Sequence, residues 1–228
     1  MTWIKICGTT NLEDALTAVD AGVDALGFVF YEKSPRYIDP EAAREIIAKL
    51  PADVEKVGVF VDKPFEFMED VAERTGLTAI QLHTDLSEKK TTEPPQAPNL
   101  KKYLALPARH FLDEQGTFES FIRSLRDEES DQWFNTIFLD SGTSQQPGGT
   151  GKVFDWQEGR HIADVLRDSG FNLVVAGGLT SPNVTEAIRI LKPWGVDVVS
   201  GVEASPGKKD PQKVRAFINA VRQPEKIT

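Results

Sequence analysis

A single cysteine in 228 residues has nothing to pair with, so no intramolecular disulfide braces this chain, as expected of a reducing compartment. The three histidines, His83, His110 and His161, stand far apart, with no metal-ligand spacing and no second cysteine, and no metal is implied. No apolar run approaches the ~20 residues that cross a bilayer, so no membrane partner is expected. A strand-like run begins at residue 3, which leaves no room for a signal peptide and predicts a cytoplasmic location. The glycosylation-like Asn183-Val184-Thr185 then carries no meaning. Basic residues are outnumbered 26 to 35, and the net charge of −9 argues against general nucleic-acid binding.

Hydrophobic residues at 40% and charged residues at 27% suit a globular protein with a sizeable core. Near-continuous apolar runs recur along the chain: Trp3-Ile4-Lys5-Ile6-Cys7, Ala25–Phe30, Lys56–Val61, Ala79–His83, Tyr103–Leu106, Thr136–Asp140, Leu173–Ala176 and Val196–Val199. Runs of this kind are parallel strands covered on both faces. Helical stretches alternate with them. Thr10-x-x-Glu13 has the form of a capping box, and Asp39-Pro40, Ser181-Pro182 and Asp210-Pro211 each read as a cap followed by proline. Pro64 opens a helix ending near Gly76, and a further helix is expected near Trp156–Leu166. The proline-rich Glu93–Pro98 stretch predicts a short fourth helix or a loop. Eight strand–helix units across residues 1–228 predict one (β/α)8 barrel, with an open doubly wound sheet as the alternative.

In a barrel the C-terminal strand ends form the active face, which gathers Cys7, Arg36, His83, Asp140, Gly177-Gly178 and Ser200-Gly201. A lone thiol is usually a small core residue; at a strand end it is also a candidate base or nucleophile. Asp197, inside the eighth run, is a weaker candidate, since a buried carboxylate often serves only backbone donors. Arg36, on the loop after the second strand, can hold a carboxylate through two parallel hydrogen bonds. Glycines after both the seventh and eighth strands let backbone N–H groups approach a phosphate. Gly148-Gly149-Thr150-Gly151-Lys152 lacks the first glycine and the final Ser/Thr of a nucleotide loop and reads as a mobile lid or substrate loop, with a plain surface loop as the alternative.

These residues match a known family. The chain resembles the phosphoribosylanthranilate isomerases of tryptophan biosynthesis through Lys5–Gly8, Gly27–Phe30, Ser34–Tyr37, Val57–Val61, Gln81–His83 and Leu139-Asp140. Gly148–Lys152 before Phe154–Trp156, Ala176–Leu179, and Ser200–Glu203 before Pro206–Asp210 continue the match. The resemblance implies an Amadori rearrangement without a cofactor, with Cys7 as general base and Asp140 as general acid. It also implies Arg36 on the anthranilate carboxylate and the glycine loops on the phosphate of a small phosphorylated substrate. The protein would act as a monomer or homodimer. His83 and Asp197 are further substrate-binding candidates. Thr84, Leu104 and Val199 depart from the family pattern without touching acid, base or arginine. Two alternatives stand beside this reading. Barrel isomerases of histidine biosynthesis perform the same rearrangement on another ribotide, but resemble one another in carrying aspartate where Cys7 stands. A non-catalytic phosphate-binding barrel would not need Cys7 and Asp140 together.

Overall fold

Strands apolar on both faces must be buried on both, and a ring of strands wrapped by helices does this without leaving an edge. In the computed structural model, residues 1–83, 100–108, 115–125, 134–141 and 153–223 are described. Eight parallel strands close in chain order: β1 (Trp3–Ile6), β2 (Ala25–Val29), β3 (Glu55–Val61), β4 (Ala79–His83), β5 (Lys101–Pro107), β6 (Thr136–Asp140), β7 (Asn172–Val175) and β8 (Gly195–Val198). Closure rests on β1 pairing with β8, in register from Trp3 opposite Gly195 to Ile6 opposite Val198, which excludes the open sheet. The described helices are α1 (Leu12–Asp20), α2 (Pro40–Ile47), α3 (Phe65–Thr75), α4 (Gln115–Ser124), α5 (Arg160–Asp168), α6 (Val184–Leu191) and α7 (Pro211–Arg222). None is long and apolar enough to cross a membrane. A small hairpin, β9 (Glu203–Ser205) and β10 (Lys208–Lys209), sits between β8 and α7. The Glu93–Pro98 and Gly148–Lys152 stretches, Thr84 and His110 lie outside the described residues.

Alternation along the strands sorts the side chains into two cores. Ile4, Ile6, Leu26, Phe28, Ile80 and their like point outward under the helices and form the larger cluster. Ala25, Val57, Ala79, Tyr103, Ala105, Phe138 and Val174, joined by Trp3, fill the inside of the ring. Lys5 and Cys7 share the inward face of Trp3, and Asp140 shares that of Phe138. The barrel interior therefore receives charged groups as well as apolar ones.

Asp39 and Asp210 cap their helices as expected, each accepting from backbone N–H groups in the first turn. Two expected caps differ. Thr10 is not the cap of α1; Asn11 is, its Oδ1 accepting from Asp14 N, because the Thr10 hydroxyl instead donates to the Gly207 carbonyl. Ser181-Pro182 forms a turn ahead of α6, closed by Thr180 N donating to Asn183 Oδ1. The helix expected from Trp156 begins at Arg160, because Asp155 Oδ1 draws the N–H groups of Gln157 and Glu158 into a turn. At the far end, Arg222 of α7 donates to the Thr2 carbonyl at 2.6 Å and to Asp24 at 2.7 Å, tying the last helix to the entrance of β1 and β2.

Candidate active site

Cys7 follows β1, its backbone N–H donating to the Val198 carbonyl on β8. Its side chain is 5% exposed. Gly27 on β2 makes room for it: a Cβ added there would lie 2.6 Å from the sulfur. Two buried lysines flank the thiol. Lys5, wholly inaccessible to solvent, places its ammonium 3.0 Å from Asp197 Oδ1, and its charge acts on the nearby sulfur. Lys5 and Asp197 are also directly opposed across the β1–β8 seam, so the ladder that closes the barrel sets this pair. Lys209, from the hairpin, donates to the Cys7 carbonyl and to Glu203 Oε1.

Burial pushes the Cys7 thiol above its ordinary range; Lys5 and Lys209 pull it back, while Asp197 adds to the rise. Burial alone would lower the Lys5 ammonium, but Asp197 and Cys7 together hold it up, and it stays protonated. Burial pushes Asp197 upward against the pull of Lys5. Burial also drives His83 down to about 4, with the nearby Lys5 charge helping, so His83 is neutral at physiological pH. Its Nε2 meets Gln81 Nε2 at 3.0 Å. The Gln81 carbonyl oxygen is buried with no described partner, an acceptor left open inside the barrel.

Arg36 reaches back over the mouth, and its guanidinium is engaged. Nε donates to Glu203 Oε1 at 2.9 Å and Nη2 to Oε2 at 2.7 Å, and this pair raises the arginine further. Glu203 also accepts from Lys209 and from the Gly207 N–H; its burial is outweighed by Arg36 and Lys209, which hold the carboxyl below its usual range. Among the described residues nothing takes Arg36 Nη1, so one edge of the guanidinium stays open to an anion.

Asp140 ends β6 nearly buried, with its carbonyl accepting from Ala108 N. Next to it, Gly177 packs so tightly on Ser141 that any side chain would collide with that serine's backbone and hydroxyl; φ is +81° here and +65° at Gly178. Gly201, after Ser200, lies equally close to the Leu179 carbonyl, so the loops after β7 and β8 are in contact. No described residue accepts from the Gly177 or Gly178 N–H. The result is a pair of touching glycine loops with unengaged backbone N–H groups, beside a mouth where Lys5, Lys209 and Arg36 outnumber the carboxylates Asp197 and Glu203 paired with them.

Such a mouth suits a doubly anionic substrate, and the comparisons agree. A family model described as N-(5'-phosphoribosyl)anthranilate (PRA) isomerase matches residues 4–220. The chain belongs to this family. A family member from Geobacter sp. strain M21 is 43% identical over 223 residues, covering 96% of this chain and 97% of that one. The crystal structure of the phosphoribosyl anthranilate isomerase from Thermotoga maritima is 40% identical and superposes with a TM-score of 0.77, covering 96% of this chain and 98% of that one. A family structure in complex with reduced 1-(o-carboxyphenylamino)-1-deoxyribulose 5-phosphate is 39% identical, with a TM-score of 0.74 and the same coverage.

The strand ends pointed to Cys7, Arg36, His83, Asp140 and the glycine loops, and not to Lys5, Gln81, Glu203 or Lys209, which the structure sets beside them. Lys5 and Gln81 carried a signal, since they interrupt apolar strands at inward-facing places, where a polar side chain needs a partner. Glu203 and Lys209 were visible only as parts of motifs, and a hairpin lysine is ordinarily solvated.

Proposed function

We propose that the barrel mouth performs the Amadori rearrangement of phosphoribosylanthranilate to the carboxyphenylamino-deoxyribulose phosphate, with Asp140 as general acid and Cys7 as general base. Asp140 gives its proton to the furanose ring oxygen as the bond from that oxygen to C1 breaks, leaving an iminium between C1 and the anthranilate nitrogen. The sulfur of Cys7 then takes the C2 proton, and the electron pair of that bond neutralises the iminium to an enolamine. Tautomerisation to the ketone completes an isomerisation in which C1 is reduced and C2 oxidised, so no external redox partner is needed.

One observation carries the assignment of the base: the chain's only thiol is buried where the charges of two buried ammonium groups, Lys5 and Lys209, act on it, surroundings that a packing residue does not need. The phosphate fits the cradle of Gly177, Gly178, Ser200 and Gly201. The anthranilate carboxylate fits the open Nη1 edge of Arg36, with Glu203 fixing the guanidinium plane. His83, neutral and held by Gln81, is a hydrogen-bonding neighbour for the substrate rather than a proton carrier. A raised thiol predicts that kcat/KM climbs with pH beyond neutrality.

The test is turnover of phosphoribosylanthranilate by the purified protein, run beside the histidine-pathway ribotide. Turnover of the first with little of the second is expected. Activity confined to the second would assign the other substrate, and binding without turnover of either would leave a phosphate-binding barrel.

A further inference from the structure

Cys7 has to shed a proton inside the barrel, where burial opposes a bare anion. Something must compensate the charge, and the backbone singles out a group to do it. Lys5 lies two residues back on the same inward face, with its ammonium 3.0 Å from the Asp197 carboxylate and near enough to Cys7 for the two charges to act on each other. No solvent reaches it, so its charge is screened by neither water nor salt. A lysine kept only for packing could be replaced by an apolar residue; this one is instead held by a carboxylate across the barrel seam. We propose that Lys5 is a positioning residue for the rearrangement, the counter-ion that lets Cys7 ionise, and that the Asp197 carboxylate, while holding Lys5, competes with the thiolate for its charge. Asp197, a substrate-binding candidate by sequence, is paired with Lys5 in the structure. The idea rests on the reading of Cys7 as the base.

The arrangement has a built-in tension. Lys5 stabilises the thiolate, whereas the Asp197 charge, brought in to hold Lys5, opposes it. Lys209 adds a second positive charge from the hairpin. Arg36, paired with Glu203, feels the sulfur from the loop after β2, His83 faces Lys5 from β4, and Asp140 opens on the same mouth from β6. A clamp with these signs predicts opposite effects from its two halves. Removing the cation should make Cys7 harder to ionise, and removing the anion should make it easier. A merely structural pair would loosen the site in the same way whichever half is lost.

The single cysteine makes the readout specific: thiolate absorbance in the ultraviolet, taken as the difference from the Cys7→Ser variant so that the ionisation of the three tyrosines cancels, titrates Cys7 in the intact chain and without substrate. In Lys5→Met the ionisation midpoint should rise by about one pH unit or more, the size expected for losing an opposite charge at contact distance. In Asp197→Asn it should fall, and in Lys5→Arg it should stay near that of the wild type. An unmoved midpoint in folded Lys5→Met, or shifts of one sign in both variants, overturns the proposal. If Lys5→Met does not fold, Asp197→Asn decides alone, and an unchanged or higher midpoint there overturns it. The pH profile of kcat/KM separates this idea from the reading beneath it. Its limb should move with the absorbance midpoint. A midpoint that shifts while the kinetic limb stays fixed keeps Lys5 as counter-ion and removes Cys7 as base.

Discussion

The two ends of the barrel both bury charge, and they do so by opposite rules. At the N-terminal end, Glu55 of β3 accepts from the Tyr103 hydroxyl and the Lys101 ammonium of β5, beneath Trp3, Tyr103 and Phe138 packed edge to face or tilted. One carboxylate meets one cation and one hydroxyl, and the network closes on itself. At the C-terminal end, Lys5, Lys209 and Arg36 share the two carboxylates Asp197 and Glu203 near the thiol. The first arrangement is complete without a ligand; in these pairs of the second, the cations exceed the carboxylates that hold them. Burial alone therefore does not mark a functional site. An imbalance left among buried charges does.

Variants at the mouth should stop the reaction and leave the fold intact. Cys7→Ser changes one atom, and a hydroxyl offers almost no anion at neutral pH. Its kcat should fall by at least ~100-fold, with the affinity for a reduced product analogue unchanged. Asp140→Asn should lose a comparable factor by the same measurement. Turnover within a few-fold of wild type in either folded variant would reduce that residue to a packing role.

Arg36→Met should act on binding rather than on the chemical step. Losing a charge-assisted contact is worth on the order of 1.5–3 kcal/mol, so KM should rise roughly tenfold or more. An unchanged KM would mean that Glu203 alone claims this guanidinium.

The closed end should respond the other way round. Tyr103→Phe removes a hydroxyl bonded to a buried carboxylate, and should cost about 1.5–3 kcal/mol in chemical denaturation with little change in kcat/KM. A large kinetic loss without a loss of stability would erase the distinction between the two ends.

The smallest effect concerns His83. The folded protein keeps it neutral down to about pH 4, whereas an unfolded chain protonates it near 6.5. Protons therefore bind preferentially to the unfolded chain between these values, and stability falls as pH drops through that window. His83→Gln should flatten that part of the stability–pH curve, as read by denaturant midpoints at several pH values.

The barrel was legible because its strands are apolar on both faces and its helices are bounded by local signals such as Asp39-Pro40 and Asp210-Pro211. Thr10 and Ser181 misled for a physical reason. A capping pattern states what a side chain is able to bond, and the Thr10 hydroxyl found a carbonyl 197 residues away instead. The same limit hid the environment of Cys7. Its place on a strand end could be read from neighbouring residues, but Lys209 reaches it across 202 residues and the clamp on Lys5 spans 192. Spacing along a chain carries no trace of such pairings. Nor could the partner of Arg36 be foreseen, since Glu203 approaches from the opposite end of the sequence.

The seam between β1 and β8 also imposes an order in time. During synthesis the thiol emerges well before Asp197, Glu203, Lys209 and the Arg222 latch. A nascent barrel lacking β8, the hairpin and α7 would carry Cys7 without the charges that act on it. The electrostatic surroundings of the thiol thus come into being only with the closure of the ring.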